Sequence, residues 1–331
     1  MGRMTTGIIR DGVDGGPALR APVRKAERVE RMMRLTLQQK MERTGFEVRT
    51  VSVEHLEDIE RDVEALRGEV DATLWEESLS HFRYELPREL PDAKSIIVVA
   101  RPQPSLMVTL RHGGKSWGFI IPPSYADAAK VDKDSLEALD KALSPASYRY
   151  VKAQLPLKTL AARSGLVKYG KNNIGYIPRF GSFNRLTAFF SDMPCAEDQW
   201  QDREGLPGCD DCHACVRTCP TGAITEDRFL IRADRCLTNL NERDSSVPFP
   251  NWVDPQAHNA LIGCMRCQRV CPYNRMALDF TSARGELSEE ETALLLSGQR
   301  EGEAAAALNE KLKGMGLDPA IFPRNLEVLL R

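Results

Sequence analysis

Long apolar runs are missing from this 331-residue chain: none approaches the roughly 20 residues that a membrane-spanning helix needs, so no helical bilayer span is expected. The opening stretch MGRMTTGIIRDGVDGGPALR is polar and Gly-rich and lacks the apolar core of a secretion signal. Met1, Gly2 and Thr6 fit the loose myristoylation pattern, a short match that carries little information. A strong excess of one charge is also missing. The net charge of −2 gives no overall field that would draw the protein to nucleic acid.

What is present fits a globular protein, with 42% hydrophobic and 28% charged residues. At about 150 residues per domain, the length suggests two domains. Charge is uneven along the chain. Residues 20–49 are rich in Arg and Lys, and residues 54–92 in Asp and Glu. The plain reading is two solvated helix faces; the sharper one is a basic helix that touches an anionic partner such as RNA. Eight of the nine cysteines fall between Cys209 and Cys271. Such clustering without a secretion signal points to metal ligation in a reducing compartment, hence a cytoplasmic protein, rather than to disulfides.

Periodicity outlines the elements. Residues 1–22 read as disordered. Val29, Met32, Met33, Leu37 and Met41 recur at helical spacing over 23–43, and Gly45 ends that helix. FEVRTVSV (46–53) alternates as a strand, 54–68 reads as a helix, and 71–85 as helical or irregular. SIIVVARP (95–102) is a continuous β-branched run, the mark of a strand covered on both faces. MVTLR (107–111) and WGFII (117–121) flank a turn at Gly113-Gly114. A helix is expected over 134–143 and a longer one over 146–164, with Pro156 either kinking it or marking its true start. A Gly-rich segment ends in a strand at 185–191, and 287–331 reads as two or three small helices, one N-capped by Ser288.

The cysteines carry the strongest signal. Cys209, Cys212, Cys215, Cys219 and Pro220 form the C-x2-C-x2-C-x3-C-P run of bacterial ferredoxins. Three closely spaced thiolates let one loop wrap a cuboidal 4Fe-4S cluster, and the fourth leaves the loop and ligates the other cluster. The second run, Cys264, Cys267, Cys271 and Pro272, lacks one member, and Cys236 is the candidate to supply it. The expected sets are therefore Cys209, Cys212, Cys215 and Cys271 for one cluster, and Cys219, Cys236, Cys264 and Cys267 for the other. His213 and His258 complete no zinc pattern. Cys195 is left over and reads as a small buried hydrophobe. Two close clusters relay single electrons but select no substrate.

The residues also resemble a family. GCDDCHACVRTCPTGAI (208–224), RCLTNLNE (235–242) and GCMRCQRVCPYNR (263–275) are similar to the cluster module of the epoxyqueuosine reductases. LAARSGLVKYGKNNI (160–174) resembles that family's Leu-Ala-x-x-x-Gly-Leu-x-x-x-Gly-Lys segment, and GSF (181–183) its Gly-Ser-aromatic step. The resemblance covers roughly residues 90–275. It extends more distantly to reductive dehalogenases.

The resemblance implies an α+β protein. A nitroreductase-like α/β cobalamin-binding domain (23–200) is followed by a bacterial-ferredoxin-like double 4Fe-4S domain (201–280) and a small helical tail (281–331). Two 4Fe-4S clusters would feed electrons to a cobalamin cofactor, and a positioned acid would protonate the leaving oxygen. Gly170, Lys171, Asn172, Asn173, Gly181 and Ser182 fall on the matching positions and are the corrin-contact candidates. The implied partners are a small-molecule or nucleoside or tRNA substrate and a low-potential electron donor such as ferredoxin or flavodoxin, with no membrane.

The family's Gly-Arg-Asp-Tyr-His stretch, which supplies the acid, has no counterpart here, where 118–134 read GFIIPPSYADAAKVDKD. Asp127 and Tyr125 lie near its place, and Asp127 also reads simply as an exposed helix-start residue. Tyr169, beside Lys168, is a third candidate, by likeness to the Tyr beside a basic residue in reductive dehalogenases. Two alternatives stand beside the cobalamin reductase: an electron-transfer protein that reduces a partner, and a reductive dehalogenase-like enzyme.

Overall fold

The structure, a computed structural model, describes residues 36–125, 127–317 and 320–331. The stretch 1–22, the pattern Met1, Gly2, Thr6 and the basic segment as far as residue 35 lie outside the described residues. The chain is α+β.

The continuous apolar run of Ser95–Pro102 explains the centre of the fold. This strand (β2) lies between β1 (Glu47–Ser52) and β8 (Asn184–Ser191), antiparallel to both, and β5 (Tyr150–Lys152) extends the sheet beyond β8, while β6 (Lys168–Tyr169) and β7 (Gly175–Tyr176) form a separate antiparallel pair. Side chains alternate across a sheet, so two different cores share the strand. Ile96, Val98 and Ala100 enter one core with Leu56 and Ile59 of helix Leu56–Glu64 and Leu160, Ala161 and Ala162 of helix Leu157–Arg163. Ile97 and Val99 enter the other with Met41 of helix Leu37–Glu42 and Leu139 and Leu143 of helix Ala128–Leu143. With helices on both faces, alternation with polar residues disappears. Each such Ile or Val contributes about 1.5–3 kcal/mol by burial.

The Gly113-Gly114 turn joins β3 (Ser105–His112) to β4 (Lys115–Ile121) in register His112↔Lys115. Both glycines take positive φ, +61° and +71°, which a two-residue hairpin turn of this hand requires. On its other edge β3 pairs in parallel with β9 (Thr281–Leu287). Three helices follow, Glu289–Leu296, Glu303–Gly314 and Phe322–Leu329, and their Leu295, Leu308, Leu312 and Leu326 pack on the hairpin. Ser288 caps the first of them with Glu291 in a reciprocal capping box.

Two expectations need correction. The helix anticipated over 146–164 is only Leu157–Arg163, with Pro156 as its N-cap residue, and Tyr150–Lys152 is strand β5. Proline has no N–H to give a preceding turn, and Tyr and Val favour the sheet. Cys195 is half-buried on an exposed segment rather than a core residue, its thiol facing the Glu197 carbonyl at 3.7 Å.

The cysteine-bearing module is fastened to the sheet by polar side chains. Buried Asn274 accepts from the Ser182 N–H at 2.8 Å and donates to the Ser182 hydroxyl and the Gln268 carbonyl, both at 2.8 Å. Gly181 makes this approach feasible. Its φ is +56°, and a Cβ there would lie 2.1 Å from Asn274 Oδ1 and 2.6 Å from the Tyr273 carbonyl. Left-handed strain and overpacking add up, so Gly181→Ala is expected to destabilise the protein by about 2–4 kcal/mol, lowering its melting temperature. A melting curve unchanged from the parent would contradict this packing. On the far side, Asn325 donates to the Asn241 and Leu261 carbonyls at 2.8 and 2.9 Å, tying the last helix to the module.

Candidate functional site

Each cysteine loop is built the same way. Cys209, Cys212 and Cys215 lie on the turn that opens at Gly208 (φ +73°) and runs into helix Ala214–Thr218. Cys219 then leaves that helix with φ −70° and ψ 111°. Cys271 does likewise after helix Arg266–Arg269, with φ −72° and ψ 123°. Each precedes a proline, whose Cδ forbids helical geometry to the residue before it, so the chain straightens and the thiol is carried out of its own loop.

The sulfurs sort into two groups. Cys209, Cys212, Cys215 and Cys271 line one cavity of about 200 Å³, together with Gly170, Lys171 and Asn172. Cys219, Cys236, Cys264 and Cys267 line another of about 410 Å³. Among the described residues no three His, Cys, Asp or Glu side chains gather as they would around a single metal ion; the cysteines stand around the two cavities instead. N–H donors are aimed at sulfur in both groups. The backbone of Lys171 bonds Cys209, the Ala223 N–H donates to Cys219 Sγ at 3.3 Å, and Asn259 Nδ2 donates to Cys264 Sγ at 3.3 Å. Burial pushes the Cys264 and Cys267 thiols up, so without a metal they stay protonated; a coordinated thiol loses its proton outright.

The larger cavity is a cleft between the sheet domain and the module. Asn172, Asn173 and Ser182 are in its wall, as are Asn184 and Gln268. Its charged lining is Lys158, Arg185 and Arg266, and no carboxylate is among the lining residues. Lys158, Asn173, Leu157 and Ile231 also line a neighbouring, largely apolar cavity of about 500 Å³. The other corrin-contact candidates stand elsewhere. Gly170 and Lys171 are at the cavity of the first cysteine group, and Gly181 packs against Asn274.

The three acid candidates are separated. Tyr125 stands in the wall of the larger cavity, and its hydroxyl is bonded to the Glu242 carboxyl. Asp127, at φ +48°, is held by Arg284 of β9, whose guanidinium also donates to the Met315 and Gly314 carbonyls. Tyr169 is buried edge-on to Phe229, ring centroids 5.0 Å apart, in the wall of the apolar cavity, and burial raises its pKa.

Comparison with known proteins bears on the cysteine-bearing segment and on the fold. Residues 208–274 match the family model described as a 4Fe-4S double cluster binding domain. Two curated relatives are epoxyqueuosine reductases. That of Escherichia coli K12 is 35% identical over 36% of this chain and 30% of its own. That of Bacillus subtilis 168 is 30% identical over 56% of this chain and 49% of its own. The chain resembles the epoxyqueuosine reductases. The matched part spans under half the length of either relative. The fold extends the likeness. The epoxyqueuosine reductase structure from Streptococcus thermophilus superposes with a TM-score of 0.61 over 89% of this chain and 80% of that one, at 20% identity. Another, solved with an epoxyqueuosine-modified tRNA stem loop, gives 0.54 over 93% and 81%, at 22% identity.

In and behind the walls of the cleft, sequence reasoning missed Lys158, Arg185, Glu242 and Asn274. Glu242 and Asn274 fall inside the segments RCLTNLNE and GCMRCQRVCPYNR, but nothing there gives either a role. Lys158 sits in an ordinary helical stretch, and Glu242 trails the lone Cys236 by one turn and a half, so each acquires meaning only from what the fold sets opposite it.

Proposed function

We propose that the protein is a cobalamin-dependent reductase in which two 4Fe-4S clusters deliver single electrons to a corrinoid held in the larger cavity. The observation that carries this reading is one wall that joins Cys219, Cys236, Cys264 and Cys267 to Asn172, Asn173 and Ser182. Cys209, Cys212, Cys215 and Cys271 hold the other cluster, and Asn172 lines both cavities. The lining chemistry suits a corrinoid. Asn172, Asn173, Asn184 and Gln268 can exchange hydrogen bonds with carboxamide arms, and the cationic lining accepts a phosphate. When bound, the corrinoid supplies a cobalt centre that reacts with an organic substrate.

The chain's own residues do the rest. Tyr125, backed by Glu242, is the proton source we assign, because Tyr125 is the acid candidate that stands in the cleft wall. Asp127 holds the C-terminal helices through Arg284, and Tyr169 supports the apolar cavity. The substrate is a small organic molecule or a modified nucleoside, and the relative solved with a tRNA stem loop supports a nucleoside carried on tRNA. Low-potential electrons would come from a carrier such as ferredoxin or flavodoxin.

The test is titration of the anaerobically reconstituted protein with hydroxocobalamin. A perturbed corrin absorbance that saturates at one corrinoid per chain is expected. Protein that holds both clusters and leaves the corrin spectrum untouched would overturn the reading.

A further inference from the structure

We propose that Lys158 is the fixed positive charge that sets the reduction potential of the cluster held by Cys219, Cys236, Cys264 and Cys267, an inference that rests on the cluster reading above. Lys158 stands where a lysine is costly. It is in the first turn of helix Leu157–Arg163, where the helix dipole is already positive, and that turn has no acidic residue. Its side chain is exposed to the cleft, in the wall shared by the two large cavities.

The ammonium donates to the Asn173 carbonyl at 3.1 Å and to Asn173 Oδ1 at 3.0 Å, both neutral acceptors. Among the described residues no carboxylate pairs with it. Loss of solvation pushes its pKa down, and negative charge on the Cys236 sulfur opposes the shift. A lysine whose only partners are neutral, set in one wall with Cys219, Cys236, Cys264 and Cys267, has its charge free to act on an anion held there. A 4Fe-4S cube with four thiolates is such an anion, and it gains a further negative charge on each reduction. Net charge around a cluster is one of the terms that sets its potential. A cation facing only this cluster stabilises its reduced state and leaves the other cluster alone, since Lys158 is not in the smaller cavity's wall.

A purely structural role would be to hold the left-handed turn at Asn173 (φ +58°) through those two hydrogen bonds. Three variants separate the roles. Lys158→Arg keeps charge and donors, Lys158→Gln keeps a donor without charge, and Lys158→Met keeps neither. The measurement is a potentiometric titration followed by EPR on the two-cluster protein without corrinoid, with iron content determined alongside.

The expected result is that Lys158→Gln and Lys158→Met lower one of the two midpoints. At fixed potential the reduced-to-oxidised ratio of that cluster should fall about tenfold, which for one electron is about 59 mV. Lys158→Arg should stay near the parent, and the second midpoint should not move in any variant. Should Lys158→Met lose iron, Lys158→Gln decides by the same reading. Unchanged midpoints at full iron content, or an equal shift in Lys158→Arg, would overturn the proposal alone. A parent protein with fewer than two reducible clusters would overturn the cluster reading and this proposal with it.

Discussion

Cys219→Ala is expected to lose the cluster that the proposed ligand sets give it with Cys236, Cys264 and Cys267, not the one wrapped by its own loop. Cys219 is four residues from Cys215, yet the extended backbone before Pro220 turns its thiol into the larger cavity. The counterpart is Cys271→Ala, which loses the cluster of Cys209, Cys212 and Cys215 although its neighbour Cys267 serves the other. Each variant should fall from about eight irons per chain to about four, because each cubane needs four ligands. The surviving EPR signal should differ between the two, one variant keeping the cluster next to the cleft and the other keeping the one remote from it. Cys219→Ala should also stop electrons from reaching the cleft, while Cys212→Ala leaves the cleft-side cluster in place. Retention of eight irons, or loss of the same cluster in both variants, would contradict the crossed assignment.

The second large effect concerns the proton. Tyr125→Phe removes the hydroxyl that reaches Glu242 and should lower turnover about 10²–10⁴-fold, the usual range for loss of a general acid, with corrinoid absorbance and iron content retained. Glu242→Gln should fall alongside it. Although part of Glu242 is exposed, enough protein surrounds its carboxyl that loss of solvation raises its pKa. A carboxyl with a raised pKa keeps its proton at higher pH, so the pair can donate there. Turnover should therefore decline as pH rises through that raised value, and Glu242→Gln should abolish this limb of the pH profile. Asp127→Asn is the contrast. It loosens the Arg284 contact and should lower the melting temperature with little change in turnover per folded molecule. Parent-like turnover in Tyr125→Phe, or a complete loss in Asp127→Asn at unchanged folding, would return the acid role to Asp127.

How far the fold could be read in advance depended on how local the cause was. SIIVVARP announces a strand covered on both faces because residues 96–100 are apolar without a break, and the hairpin announces itself through two adjacent glycines. The cysteine runs were legible because a cubane demands fixed spacing. By contrast, strand β9 has the sequence TSARGEL, with no alternating apolar pattern, and exists because β3 offers it an edge. Helix Ala128–Leu143 begins six residues before the expected start, since its first turns, AAKVDK, are too polar for periodicity to flag. The cleft was less legible still. Asn172, Asn173 and Ser182 could be picked out through resemblance, but Lys158, Arg185 and Glu242 are ordinary surface residue types in sequence. Their electrostatic setting comes from a module more than fifty residues away in the chain for Lys158, and from the β4-to-helix connection for Glu242.

An anaerobic crystal structure of the reconstituted protein grown with hydroxocobalamin tests the central claim most directly. The account predicts two cubanes on the crossed cysteine sets and corrin density in the cavity walled by Asn172, Asn173, Ser182 and the second cysteine set. Two clusters beside a cleft that holds only solvent, or a corrin bound away from that cleft, would contradict it.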